Sequence, residues 1–216
     1  MPSMPALSPP SLPTLPVPPA LRRRIEGTFT VDPWGLDTDL VDLLAPAARL
    51  RWDIDVDGSL VLPSGPFALV INRRLGLSEP WVVAEAVRRV AGRHVRFVGV
   101  PDVAPVGPAL RRLGGVVNRP DEIAGLLRAG QIVGIGLSAQ RTWGARAGSL
   151  HPEVLAPVVA AGAPVVPVAV RGREVGRRWR VTLGEPLRPA VHPGPLAVAD
   201  LAEHTRRAVQ ALLDQP

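Results

Sequence analysis

The chain has no cysteine, no lysine and no apolar run long enough to cross a bilayer. Without cysteine there is no disulfide, no thiolate zinc site and no cysteine nucleophile. The four histidines, His94, His151, His192 and His204, are scattered without ligand-like spacing, so no metal site is expected. A membrane-spanning helix needs about 20 predominantly apolar residues, and no such stretch occurs. The stretch Met1 to Ala20 is Pro-rich rather than continuously apolar, and the charges Arg22 to Arg24 follow it. That order is wrong for a secretory signal, so a cytoplasmic protein is expected, with peripheral membrane contact left open.

The absence of lysine makes all 25 basic residues arginine. Together with abundant Ala, Gly, Pro and Val, this reads as compositional bias rather than as function. The formal charge of +6 suits an anionic partner. Lipid head groups, phosphorylated metabolites and nucleic acid all satisfy it, and charge alone does not choose among them.

What is present is a chain of 216 residues, 46% hydrophobic, enough for one domain with a sizeable core. Residues 1–20 form a low-complexity Pro/Ser/Leu tail, expected to be disordered and to act as a linker, with a partner-binding role as the alternative. Residues 21–216 form the domain. A short helix is expected from Asp37 or Thr38 to Leu44, with Leu40, Leu43 and Leu44 on one face. Arg51 to Val56 alternates as a half-buried strand does, and Asp57-Gly58 turns it into a hairpin continued by Leu60 to Leu62. Phe67 to Ile71 does not alternate and reads as a strand covered on both faces. Ser78 is a candidate N-cap for a helix over Trp81 to Val90 that Gly92 closes, with Pro80 in its first turn.

Further strands are predicted at Val95 to Val98, Gln131 to Leu137, Pro164 to Val170 and Trp179 to Leu183. Helices are predicted at Ala109 to Leu113, Asp121 to Ala129, Pro152 to Ala161 and Asp200 to Leu213. The last of these has Leu201, Ala208, Val209 and Leu212 inward. Alternating strands and helices imply an α/β fold: a single domain with a mostly parallel or mixed central sheet flanked by helices.

Three polar spots follow three covered strands or turns: Asn72-Arg73-Arg74 with Ser78-Glu79, Asn118-Arg119, and Ser138 to Thr142. Loops at matching ends of neighbouring strands converge on one crevice. Arginines there make an anion pocket, since guanidinium forks suit phosphate. Solvated surface arginines are the competing reading. Gly134 and Gly136 suggest part of a phosphate loop, but no Walker lysine follows and no cofactor is expected. The clusters Arg22 to Arg24 and Arg171 to Arg180 lack interleaved exposed aromatics other than Trp179. They read as solvated or lipid-facing charge, and nucleic acid ranks last among the partners.

From Asp32 to Pro186 the order of segments resembles the bacterial 1-acyl-glycerol-3-phosphate (lysophospholipid) acyltransferase family. Val56 to Gly58, Leu62-Pro63, Gly65-Pro66 and Phe67 to Asn72 resemble that family's approach to its first motif. Gly115 to Arg119 resembles the second motif, Gly130 to Thr142 lies where the third stands, and Ala163 to Gly172 resembles the fourth. The resemblance implies transfer of an acyl chain from acyl-CoA or acyl-carrier protein to a lysophospholipid hydroxyl. The family's first motif is Asn-His-x-x-x-x-Asp, in which the His takes the proton and the Asp orients it.

Here Asn72 is kept, Arg73 stands at the His position and Ser78 at the Asp position. Arginine stays protonated, with a pKa above about 12, and cannot be a general base near neutrality. Glu79 is one residue away and is expected to face the wrong side of its helix. In the third motif Ser138 replaces the family's acid, while Arg141 and Arg119 survive. Neither His94 nor His151 lies at the strand end that aligns with the first motif.

The expectation is therefore a diverged, acyltransferase-like protein with no catalytic pair and lost or weak transfer. Asn72, Arg73, Ser78, Arg119, Ser138 and Arg141 would line a pocket for an anionic lipid or phosphorylated small molecule. The alternatives are an active acyltransferase using another mechanism, and a non-enzymatic interaction protein.

Overall fold

A computed structural model describes residues 22–23, 25–28, 31–72, 78–138, 146–190, 194 and 196–215. The Pro-rich tail lies outside them. Helix α1 spans Thr38–Arg51; the Asp37 side chain accepts a hydrogen bond from the Leu40 N–H at 2.9 Å and caps it. Asp39 in the first turn and Arg49 and Arg51 in the last match the helix dipole. The helix is longer than expected because it continues through Pro46. An interior proline costs about 3 kcal/mol, and tertiary contacts of the second half offset that here. Arg49 reaches Glu85 at 2.6 Å, and Arg51 donates to the carbonyls of Gly176 and Glu174, both at 3.1 Å. The inward face is also not the leucine face. Leu43 and Leu44 are exposed, and Ala45 is the buried residue.

Strand β1 (Asp53–Gly58) does not turn back as a hairpin. It pairs in parallel with β7 (Arg178–Leu183) at one edge of the sheet. At Gly58 the chain passes so close to β7 that a Cβ would sit 2.1 Å from the Leu183 carbonyl oxygen, and its φ is +86°. Only glycine fits that approach. The alternation of β1 was legible, but its partner lies far along the chain.

Strand β2 (Phe67–Ile71) is fully buried, as its unbroken apolar run requires. Helix α2 (Glu79–Ala91) follows and ends at Gly92. Ser78 stands at its N-cap position, but its side chain makes no capping bond; its backbone N–H donates instead to Glu174 Oε1 at 2.8 Å. The remaining elements are β3 (Val95–Val98), α3 (Val106–Arg112), β4 (Gly115–Val116), α4 (Pro120–Arg128), β5 (Ile132–Gly136), α5 (Pro152–Ala160), β6 (Val165–Gly172) and α6 (Ala197–Asp214). On α6 the buried residues are Leu201, Ala202, Thr205, Val209 and Leu213, a face shifted slightly from the expected one.

The seven strands form one sheet in the order β1-β7-β6-β2-β5-β3-β4. From β6 to β4 all neighbours are parallel; β7 runs antiparallel to β6, and β1 follows β7. Helices cover both faces. One core cluster joins β-sheet residues such as Ala68, Val70 and Val133 to α4, α5 and α6, and the other joins Phe67, Leu69 and Val168 to α2. The result is a single α/β domain with a mostly parallel sheet flanked by helices, as expected.

One charged residue lies inside this core. Arg96, on β3, is 1% exposed and is ion-paired with Asp32. The other oxygen of Asp32 accepts from the backbone N–H groups of Trp34 and Leu36, so the pair fastens the segment before α1 to the sheet. Burial pushes the Arg96 guanidinium down to about 10, which still leaves it charged at neutral pH.

Candidate functional site

In a parallel sheet, the loops beyond the strand C-termini share one crevice. The end of β2 lies beside the end of β5: Ile71 pairs with Gly136, and the Leu137 N–H donates to the Ile71 carbonyl at 2.8 Å. Asn72 and Ser138 thus emerge from adjacent strands.

Asn72 is 5% exposed, and its amide is used at both ends. Nδ2 donates to the Val170 carbonyl at 3.0 Å, and Oδ1 accepts from the Val170 N–H at 2.6 Å. The side chain therefore extends the backbone ladder from β2 onto β6. Ser138 is exposed, and its N–H donates to the Ser149 carbonyl at 2.9 Å, joining the two ends of the loop between them. Ser78 is tied through its N–H to Glu174, in the turn between β6 and β7.

Arg119 is at the same end of the sheet but further away, following β4, three strands from β2. At about 4.8 Å per strand that is roughly 14 Å. Its side chain is 64% exposed and pairs with Asp102 at 2.7 Å. Arg73 and Arg141 lie outside the described residues. The described strand ends thus place Asn72 beside Ser138, while Ser78 is held to the β6–β7 turn and Arg119 lies at the margin.

The cavity at this end was not foreseen. It encloses about 370 Å³ between α1, the start of α2, α3 and the sheet. Ile71, Gly136, Glu79 and Trp81 line it near the strand ends; Val41, Ala45 and Ala48 line it from α1. It continues inward past Phe97 and Val95 to Arg88 and His94, which both approach Asp42.

The walls are mainly aliphatic and aromatic, and among the described residues Arg88 is the only arginine lining it. Glu79, expected to point away, is 5% exposed and lines this cavity. Gly134 does not belong to a phosphate loop. It faces Phe97 across the β5–β3 pairing, and a Cβ there would lie 2.7 Å from the Phe97 ring. The signal for the cavity was the pair of small residues Ala45 and Ala48 on one face of α1.

No protein-family model matches the chain, and no curated protein matches it. Among solved structures it is similar to the 1-acyl-sn-glycerophosphate (LPA) acyltransferase PlsC from Thermotoga maritima. The TM-score is 0.58 and the identity 18%, covering 83% of this chain and 82% of that one. The chain has the fold of that acyltransferase. The expected architecture, glycerolipid acyltransferase-like, is thereby shown, while an identity this low speaks to fold alone.

Of the two positions expected to stand for the family's first-motif pair, Ser78 lies at the start of α2 and Arg73 lies outside the described residues. Among the described residues no imidazole bonds to Asn72, whose amide is committed to Val170. His94 lies near the start of β3, His151 precedes α5 and His204 is exposed on α6. No described helix is long and apolar enough to cross a membrane.

Proposed function

We propose that this protein binds a lipid with an acyl chain and a phosphorylated head group, on an acyltransferase scaffold whose own transfer activity is lost or weak. The observation that carries the reading is the apolar cavity that starts at the ends of β2 and β5 and runs beneath α1. Its volume falls within the range of about 300–1,000 Å³ typical of small-molecule sites. The acyl chain occupies the cavity, and the anionic head group stays at the strand ends, with Arg73 and Arg141, which lie outside the described residues, as the sequence's candidates for holding it. Arg73 cannot accept the proton of an attacking hydroxyl, and Ser78 supplies no carboxylate to orient a base.

The test uses purified protein with labelled acyl-CoA and lysophosphatidate. The wild type is expected to bind the lipid with little or no turnover. Restoring the pair with Arg73→His, Ser78→Asp and Ser138→Glu is expected to raise transfer by on the order of 10²-fold, the lower range for a positioned general base.

One observation favours a second reading, an active acyltransferase with an altered mechanism: the buried carboxylate of Glu79 lines the cavity at the start of α2. Wild-type turnover that disappears in Glu79→Gln would replace the first reading with this one.

A further inference from the structure

We propose that the turn between β6 and β7, together with the C-terminal end of α1, forms a docking surface for an anionic bilayer. Val175, in that turn, is 93% exposed, the most exposed large apolar side chain among the described residues. Leu50, at the end of α1, is 77% exposed. The two sit on segments held against each other. Arg51 donates to the carbonyls of Gly176 and Glu174, Arg177 donates to the Leu50 carbonyl at 2.9 Å, and the Asp53 N–H donates to the Arg177 carbonyl at 2.7 Å. Two aliphatic side chains are thus presented on one braced ledge.

Positive charge surrounds them. Residues 49–53 and 173–178 contain five arginines, Arg49, Arg51, Arg173, Arg177 and Arg178, against two acids, Asp53 and Glu174. Among the described residues neither Arg173 nor Arg178 forms an ion pair, and Arg51 and Arg177 spend their bonds on neutral carbonyls. Arg49 is paired with Glu85, which leaves Arg51, Arg173, Arg177 and Arg178 without ion pairs among the described residues beside the apolar tips, an arrangement that suits a surface offering both an acyl layer and phosphate. Nucleic acid would use the charge and leave the aliphatic tips in water. Of the two aromatics here, Trp179 is 2% exposed, and Trp52 is half-buried with the Arg51 guanidinium over its ring at 5.7 Å, so neither offers a free stacking face.

The ledge borders the crevice. β6 ends and β7 begins at the sheet end where β2 terminates, and Glu174 is bonded to the Ser78 N–H at the start of α2. A bilayer seated here lies at the end of the sheet where Ile71 and Gly136 line the cavity. The docking surface rests on its own geometry and not on the chemistry proposed for the crevice.

The test is sedimentation of the full chain with vesicles of phosphatidylcholine alone and of phosphatidylcholine with phosphatidylglycerol. Binding is expected only to the anionic vesicles and is expected to weaken with salt. Val175→Asp with Leu50→Ser, and separately Arg173→Gln with Arg178→Gln, are each expected to lower partitioning by about tenfold or more. All four side chains are exposed, and an unchanged thermal midpoint verifies the fold. Wild-type partitioning in both pairs overturns the proposal. So does binding to duplex DNA that depends on the arginines while Val175→Asp with Leu50→Ser has no effect on vesicles. Loss of monomeric lipid binding in a cavity variant, with vesicle binding intact, would strike only at the crevice reading.

Discussion

The most direct perturbation of the cavity is Ala45→Phe. Ala45 is 8% exposed and lines the cavity from α1, with Val41 and Ala48 on the same face. A phenyl ring there takes space an acyl chain would use. If it displaces about four methylenes at about 0.8 kcal/mol each, binding loses about 3 kcal/mol. That corresponds to a rise in Kd of roughly 100- to 200-fold. Titration calorimetry with decyl phosphate kept below its micelle concentration reads this directly, and the ligand-induced rise in Tm should vanish with it. The free protein should lose little stability, because the ring enters existing space rather than a packed core. Leu44→Phe, on the exposed side of the same helix, is the control and should bind like the wild type. Wild-type affinity in Ala45→Phe together with a lowered Tm would refute the reasoning. An overpacked site costs about 1–3 kcal/mol, so that pair of results would mean that the space is not there or that the chain binds elsewhere.

Two further outcomes test the framework. Asp32→Asn removes the partner charge of buried Arg96 while keeping an acceptor for Trp34 and Leu36. The loss, read from urea midpoints, should be about 3 kcal/mol, the lower end for a broken buried pair, because Asp32 is itself 27% exposed. Glu203 accepts hydrogen bonds from Arg206 and Arg207, which hold its carboxyl down at about 2. Its folded value lies below its unfolded one of about 4.3, so its contribution is present above that pH and lost as pH falls from about 4 to 2. The Glu203→Gln variant should lack that part of the acid dependence when midpoints are compared across the window.

How far the fold could be read from the chain depended on how local each signal was. β2, β5 and β6 announce themselves because central strands of a parallel sheet are apolar on both faces. The ends of α2 and α4 are set by Gly92 and Gly130, both at positive φ. β1 was legible as a strand but not as the partner of β7, since alternation reports burial of one face and not who pairs with the edge. α1 was expected to stop at Leu44 and runs on to Arg51, since packing overrides the low helix propensity of Pro46.

The cavity went unread for a related reason. Pattern reading seeks large apolar residues facing the core, whereas this space exists where the small side chains Ala45 and Ala48 leave volume unfilled. Arg119 was legible as a cation at the right end of the sheet. That it would be ion-paired to Asp102 three strands from β2 was not.

The structure of Asn72 bears on how scaffold and chemistry separate. Read as part of a motif, Asn72 belongs to the reacting groups. In the fold it is a backbone mimic, filling the N–H and C=O of Val170 where β2 has run out of its own. Removing it leaves two buried backbone groups unpaired, at about 1–3 kcal/mol each, so its constraint is mechanical. The cavity under α1 is lined by other side chains, of α1, α2, α3 and β3, so the sheet's bonds at Asn72 and the proposed lipid site depend on different residues.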